Sequence, residues 1–253
     1  GPAAAERDAA IYWYRLYLEG FDSSPEAPAT RLLLADLLFE GQRYEEAAIE
    51  YERTAYGYAG NAESSRAGYA ALVAYAEAES RAPEARRAEV SARAIESALQ
   101  FAGTFPDHAE TPGVLTRTAK ALFDAGDRPQ AESVAQRVLA LGTRADAGQQ
   151  RVAWTVLAHT YFDAGRYAEA EVAYSELAGR LPVEDPLHGE AVERLAASVY
   201  RQGEAKQAAG DVQGAVQDFL RVATVAPASP VRVAAEFDAA TLLIGAGAWA
   251  EAA

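Results

Sequence analysis

Arg151 to Glu184 reads R-V-A-W-T-V-L-A-H-T-Y-F-D-A-G-R-Y-A-E-A-E-V-A-Y-S-E-L-A-G-R-L-P-V-E, and its spacing decides the fold. Trp154, Leu157, Ala158 and Tyr161 follow one another at offsets of three, one and three, which brings them to one face of an α-helix. The small Ala158 leaves room on that face for another helix to approach closely. Gly165 predicts the end of this first helix. Tyr167, Ala170, Tyr174 and Leu177 then mark the inner face of a second helix, with Pro182 as its expected stop because proline cannot continue the hydrogen-bond ladder. Two helices and a turn fill 34 residues.

In that order, a Trp, a Leu beside a small residue, a Tyr, then an Ala, an aromatic and a Pro resemble the tetratricopeptide repeat. The resemblance implies an antiparallel helix pair that stacks on copies of itself and whose usual task is to hold another protein. Further copies are legible on both sides. Tyr44, Ala47 and Tyr51 repeat the spacing of Tyr167, Ala170 and Tyr174. The small-residue positions of successive copies fall at Ala47, Ala94, Ala131, Ala170, Ala215 and Ala252, on average about 41 residues apart, against about 34 in the family. This longer spacing shifts the likeness toward the elongated repeats of bacterial envelope proteins, such as the outer-membrane assembly lipoproteins and their periplasmic relatives.

The expected fold is all-α, a right-handed α-solenoid of antiparallel helix pairs forming one array over 1–253. Its expected divisions are a half repeat at 1–24, repeats at 25–60, 61–107, 108–145, 146–184 and 185–228, and a truncated copy at 229–253. Ala3 to Gly20, with Ile11, Trp13, Tyr14, Tyr17 and Leu18, reads as a second helix whose first helix lies upstream. Leu33, Leu34, Leu37 and Leu38 are expected to face inward from a helix that Gly41 closes. Trp249-Ala250-Glu251-Ala252 begins a last second helix. The start at Gly1-Pro2, the absence of methionine and the end at Ala253 inside a repeat read as a piece of a longer protein carrying a protease scar.

Composition narrows the function. A net charge of −14 opposes nucleic-acid binding, which requires a basic surface to neutralise phosphates. With no cysteine there are no disulfides, thiolate nucleophiles or sulfur-ligated metals. No apolar run is long enough to insert in a membrane. Cysteine-free chains occur in both cytoplasm and periplasm, and the likeness to envelope proteins favours a periplasmic or envelope-associated place over a cytoplasmic one.

Chemistry is sparse. His108 and His188 read as solvated turn residues. His159 lies on the first helix of the central repeat and reads first as a polar residue on the exposed concave face; Asp163, four residues on, is at a spacing that allows the two to pair across one helical turn. The glycines of Gly210–Gly214 and Gly245–Gly247 follow no strand and precede no Gly-Lys-Ser or Gly-Lys-Thr, so they read as helix stops and not as phosphate loops. Glu45-Glu46 and Glu184-Asp185 suit helix starts, where carboxylates offset the dipole. The chain is therefore read as no enzyme, with no cofactor and no metal.

The candidate site is a partner groove. Superposing copies places Phe39, Phe123 and Phe162 one residue after the last buried position of a first helix, and Glu40, Asp124 and Asp163 one residue further on. Asp36, Lys120 and His159 lie one turn earlier on the same face. Such an aromatic row edged by acid suits an apolar peptide with some basic residues; the same phenylalanines read equally as core against the next repeat, with the acids solvating helix ends. The function expected is a protein–protein interaction scaffold presenting a concave groove, with envelope assembly or transport as its setting. The alternatives are an oligomerising repeat segment, in contact with further repeats of the same protein, and an accessory domain of a larger enzyme.

Overall fold

The computed structural model describes residues 2–248. The expected second helix at Trp249-Ala250-Glu251-Ala252, with its small-residue position Ala252, lies outside the described residues. The chain divides into two compact units, Gly1–Thr118 and Ala119–Ala253.

The first unit contains α1 (Pro2–Phe21), α2 (Ala27–Glu40), α3 (Tyr44–Tyr56), α4 (Ser64–Arg81) and α5 (Glu84–Thr104). The boundary falls inside α6 (Thr111–Asp124). The second unit continues through α7 (Arg128–Ala140), a 3-10 turn at Gly142–Arg144, α8 (Ala147–Asp163), α9 (Tyr167–Ala178), α10 (Pro186–Ala208), α11 (Val212–Val225) and α12 (Val231–Gly245). All regular structure among the described residues is helical.

Successive helices pack in antiparallel pairs. In α2/α3 the rings of Phe39 and Tyr44 meet at 5.1 Å, and Tyr51, two turns further along α3, donates its hydroxyl back to Asp36 at 2.6 Å. The α8/α9 pair repeats this, with Phe162 and Tyr167 rings 5.4 Å apart and Tyr174 hydroxyl 3.0 Å from His159 Nδ1. Five of the small residues are buried as their spacing predicts. Ala47, Ala131, Ala158, Ala170 and Ala215 have no exposed surface. Between them sit fully buried Leu34, Leu38, Leu157, Tyr174 and Phe219, each contributing roughly 1.5–3 kcal/mol through removal from water.

The turns after α2, α6, α8, α10 and α12 share one geometry, whereas α4 passes into α5 through the extended Ala82. Gly165 has φ +71°, its N–H donates to Phe162, and the next N–H, Arg166, reaches back to Tyr161 at 2.9 Å. This paired closure caps carbonyls that the helix end leaves open, and it needs a left-handed residue. Gly126, Gly210 and Gly247 fill the same place after α6, α10 and α12. After α2 the left-handed residue is Gln42, φ 61°, whereas Gly41, expected to close that helix, has an ordinary φ of −76°.

Several expectations are corrected. The second helix of the central pair ends at Ala178 with Gly179 as its cap, well ahead of Pro182. Leu33 does not face inward; it is 50% exposed. Four leucines at 33, 34, 37 and 38 exceed what one face of α2 can bury, and the other faces meet solvent. Ala94 is only half-buried, and Val90 is the fully buried residue of that stretch of α5.

Candidate interaction surface

Asp36, Phe39 and Glu40 lie on the last turn and a half of α2, in the first unit. Asp36 Oδ1 accepts the Tyr51 hydroxyl, and burial, reinforced by this carboxylate, pushes the Tyr51 phenol upward so that it stays a donor. Phe39 is half-buried against the edge of Tyr44, and Glu40 is exposed. Beside them is a concavity of about 790 Å³. Its lining combines Ser24 and Pro25 of the α1–α2 turn, Pro28, Leu32, Leu33 and Asp36 of α2, the α3–α4 loop from Gly57 to Asn61, and Glu63 and Arg66 at the start of α4. Sequence reasoning found Asp36 and missed the leucines and prolines. Their signal was the surplus of leucines in α2, more than a single stripe accommodates.

In the second unit Lys120, Phe123, Asp124, His159, Phe162 and Asp163 form a contiguous group. Lys120 pairs with Asp124 one helical turn on. Arg128 lies 3.7 Å above the Phe123 ring, donates to the Phe123 carbonyl, and reaches Asp163 at 3.5 Å. Phe162 meets Tyr167 and Tyr174 edge-on, with the Arg194 guanidinium 5.3 Å from its ring centre. Phe123 is therefore half-buried between Arg128 and the His159 ring, Phe162 between Arg194 and two tyrosines, and the acids already hold cations. This explains how carboxylates are tolerated near helix C-termini, where the dipole alone disfavours them.

His159 is neither exposed nor paired with Asp163. Its ring bonds Tyr174, packs 6.0 Å from Phe123, and is half-buried; the carboxylate of Asp163 goes to Arg128. Burial, helped by Arg194 and Arg128, holds the imidazole below its ordinary pKa, against the opposing pull of Glu190 and Asp163. A cavity of about 40 Å³ adjoins it, between Thr155, Tyr174, Leu187 and Glu190. The other histidines also differ from expectation. His108 is half-buried, stacked on Tyr69 and edge-on to Phe101, and its Nδ1 accepts the Glu110 N–H. His188 belongs to the first turn of α10.

The paired acids act as helix-start groups and staples. Asp185 caps α10 by accepting the Leu187 N–H. Glu46 holds Arg15 of α1 and Arg43, and Glu45 holds Arg86 of α5. Among the described residues no group of three His, Asp or Glu side chains is placed to hold a metal, and no helix is long and apolar enough to cross a membrane.

No protein-family model matches the chain, and no curated protein matches it. Solved structures similar to it include a tetratricopeptide repeat protein from Parabacteroides merdae, at 14% identity over 94% of this chain and 99% of that one, TM-score 0.39. PilW, described as a widely conserved type IV pilus biogenesis factor, is similar at 17% identity over 90% and 97% of the two chains, TM-score 0.34. A human IFIT1 dimer with m7Gppp-AAAA is similar at 15% identity over 99% of this chain and 54% of that one, TM-score 0.30. The antiparallel pairs, their buried alanine contacts and their recurring left-handed turns make this an all-α chain of tetratricopeptide-like fold.

Proposed function

We propose that the chain is a non-catalytic scaffold that holds a protein or peptide partner against its first helices. The observation that carries this reading is the concavity of about 790 Å³ beside α2, where exposed Leu33 adjoins Asp36. Apolar surface next to a few fixed polar groups is the composition of a recognition site. The Phe–acid ends of α6 and α8 supply a second surface, in which a basic partner would compete with Lys120 and Arg128 for Asp124 and Asp163. The net charge of −14 disfavours a polyanion as ligand and favours a partner with basic residues. The elongated repeat of about 41 residues supports a place in bacterial envelope assembly or transport.

The test is photo-crosslinking in cells of the source organism from Leu33, Phe162 and Asp163, each replaced by a photoreactive residue. A single abundant partner is expected, and its yield falls at least fivefold from the Phe162 site when Phe123 becomes alanine. Adducts that are only intramolecular or between copies overturn the reading. They would support a second one, in which the end helices stack on other repeats or on another copy. Exposed Tyr12, Trp13 and Leu16 of α1 and Val233 and Phe237 of α12 favour it.

A further inference from the structure

The concavity beside α2 has a location and a lining that specify its occupant more closely than the scaffold reading, on which this inference rests. It lies where second helices return to first helices, between the α1–α2 turn and the α3–α4 loop. Connections at the same end of α2 and α3 bound it on two sides, so it is a trough. One wall is apolar: Pro28, Leu32 and Leu33 line it from α2, and Leu33 is 50% exposed. The opposite wall is the loop Gly57-Tyr58-Ala59-Gly60, in which Gly60 has φ +71° and three of four residues carry little or no side chain. A chain can therefore lie close to that backbone.

The charges in the trough are unequal. Glu63 and Arg66 neutralise each other at 2.9 Å. Asp36 is in no ion pair among the described residues; one of its oxygens takes the Tyr51 hydroxyl, which orients the carboxylate. One helical turn separates it from Leu33, so an apolar anchor and a cation on neighbouring positions of a ligand reach both. A small apolar molecule would leave Asp36 without a counter-charge, and an acidic one would be repelled by it.

We propose that this trough is a docking site for a short segment of a partner protein, which seats one large apolar side chain over Leu32 and Leu33 and sets a Lys or Arg on Asp36. A phage-displayed library of random dodecapeptides, panned on the full chain, tests it. Selected peptides should place Leu, Phe or Trp within four residues of Lys or Arg. The dissociation constant of the best synthetic peptide should rise about tenfold in Asp36→Asn and in Leu33→Glu. Both variants alter exposed or half-buried positions, and asparagine keeps an oxygen for Tyr51; circular dichroism checks that each remains helical. Ala29→Trp, which fills the trough from an exposed position, gives an independent loss. Selection of acidic peptides, no selection at all, or a change under threefold in all three variants overturns the proposal. If it fails while Phe162 still captures a partner in cells, the scaffold reading stands and only this site is lost.

Discussion

Gln42 holds a conformation that its counterparts assign to glycine. At the equivalent place after α6, α8, α10 and α12 stand Gly126, Gly165, Gly210 and Gly247, with φ between +71° and +85°. A side chain in the left-handed region costs about 1–2 kcal/mol, offset in part by the greater unfolded-state freedom that glycine would lose. Gln42→Gly is therefore expected to stabilise the chain by roughly 0.5–1 kcal/mol, seen as a higher urea midpoint. The substitution removes one hydrogen bond, from Arg81 to Gln42 Oε1 at 3.3 Å, which is exposed and contributes little. A second residue-scale expectation concerns His159. Its folded pKa lies below the ordinary value because burial disfavours the imidazolium, so in acid the unfolded chain takes up its proton first. Stability from this residue is present above the unfolded pKa of about 6.5 and is lost as pH falls through the folded value. Urea midpoints compared at pH 7.5 and 5.5 should drop further in the wild-type chain than in His159→Gln. An equal drop would mean that the buried ring does not govern the change.

At the scale of elements, the staple around Arg31 joins four pieces of the first unit. Arg31 sits in α2 with only 7% of its surface exposed. It pairs with Glu50 of α3, reaches Asp22 of the α1–α2 turn at 2.6 Å, and donates to Tyr58 of the α3–α4 loop at 2.8 Å. Tyr58 in turn donates to Asp22, and this bond, with Arg31, holds the Asp22 carboxyl below its usual range. Glu50→Ala strips a buried guanidinium of a buried partner and is expected to cost about 3–5 kcal/mol, measured by urea unfolding. Glu63→Ala, which breaks an exposed pair, should cost no more than about 1 kcal/mol. None of this was visible in the sequence, because pairing across 19 residues leaves no local pattern. What was visible is periodic. The pairs α2/α3 and α8/α9, their buried alanines and the glycine stops follow from a 3.6-residue period and from glycine's freedom at positive φ. The Phe–acid positions were also visible as a recurrence. Of their partners only Lys120, one turn from Asp124 in α6, shares their helix; Arg128 and Arg194 arrive from other helices and were not visible. The error at Leu33 came from reading every leucine as core, when helix geometry limits how many can be.

For the molecule as a whole, the decisive property is that burial is local. Within each unit helices pack on their neighbours in sequence, as α2 does on α3 and α9 on α10, and α12 also reaches α10. Stability in such an array is a sum of pair and neighbour contributions, so a lesion should be read where it is made. Gly203 of α10 offers a clean lesion. A Cβ built there would lie 2.6 Å from the ring of Phe219, which is fully buried in α11 and has nowhere to withdraw. Gly189, in the same helix, would meet nothing within 4 Å. The same substitution should thus have opposite signs. Gly203→Ala should destabilise by about 1–3 kcal/mol through overpacking, and Gly189→Ala should stabilise by roughly 0.4–1 kcal/mol. Hydrogen exchange followed by mass spectrometry then reads the reach of the lesion. In Gly203→Ala, amides of α10, α11 and α12 should exchange faster, while those of α2 and α3 keep their wild-type rates. If α2 and α3 lost protection to the same extent, the chain would unfold as one cooperative body. A partner bound at one end would then stabilise the other as strongly as itself, whereas local burial confines that effect to the pairs it touches.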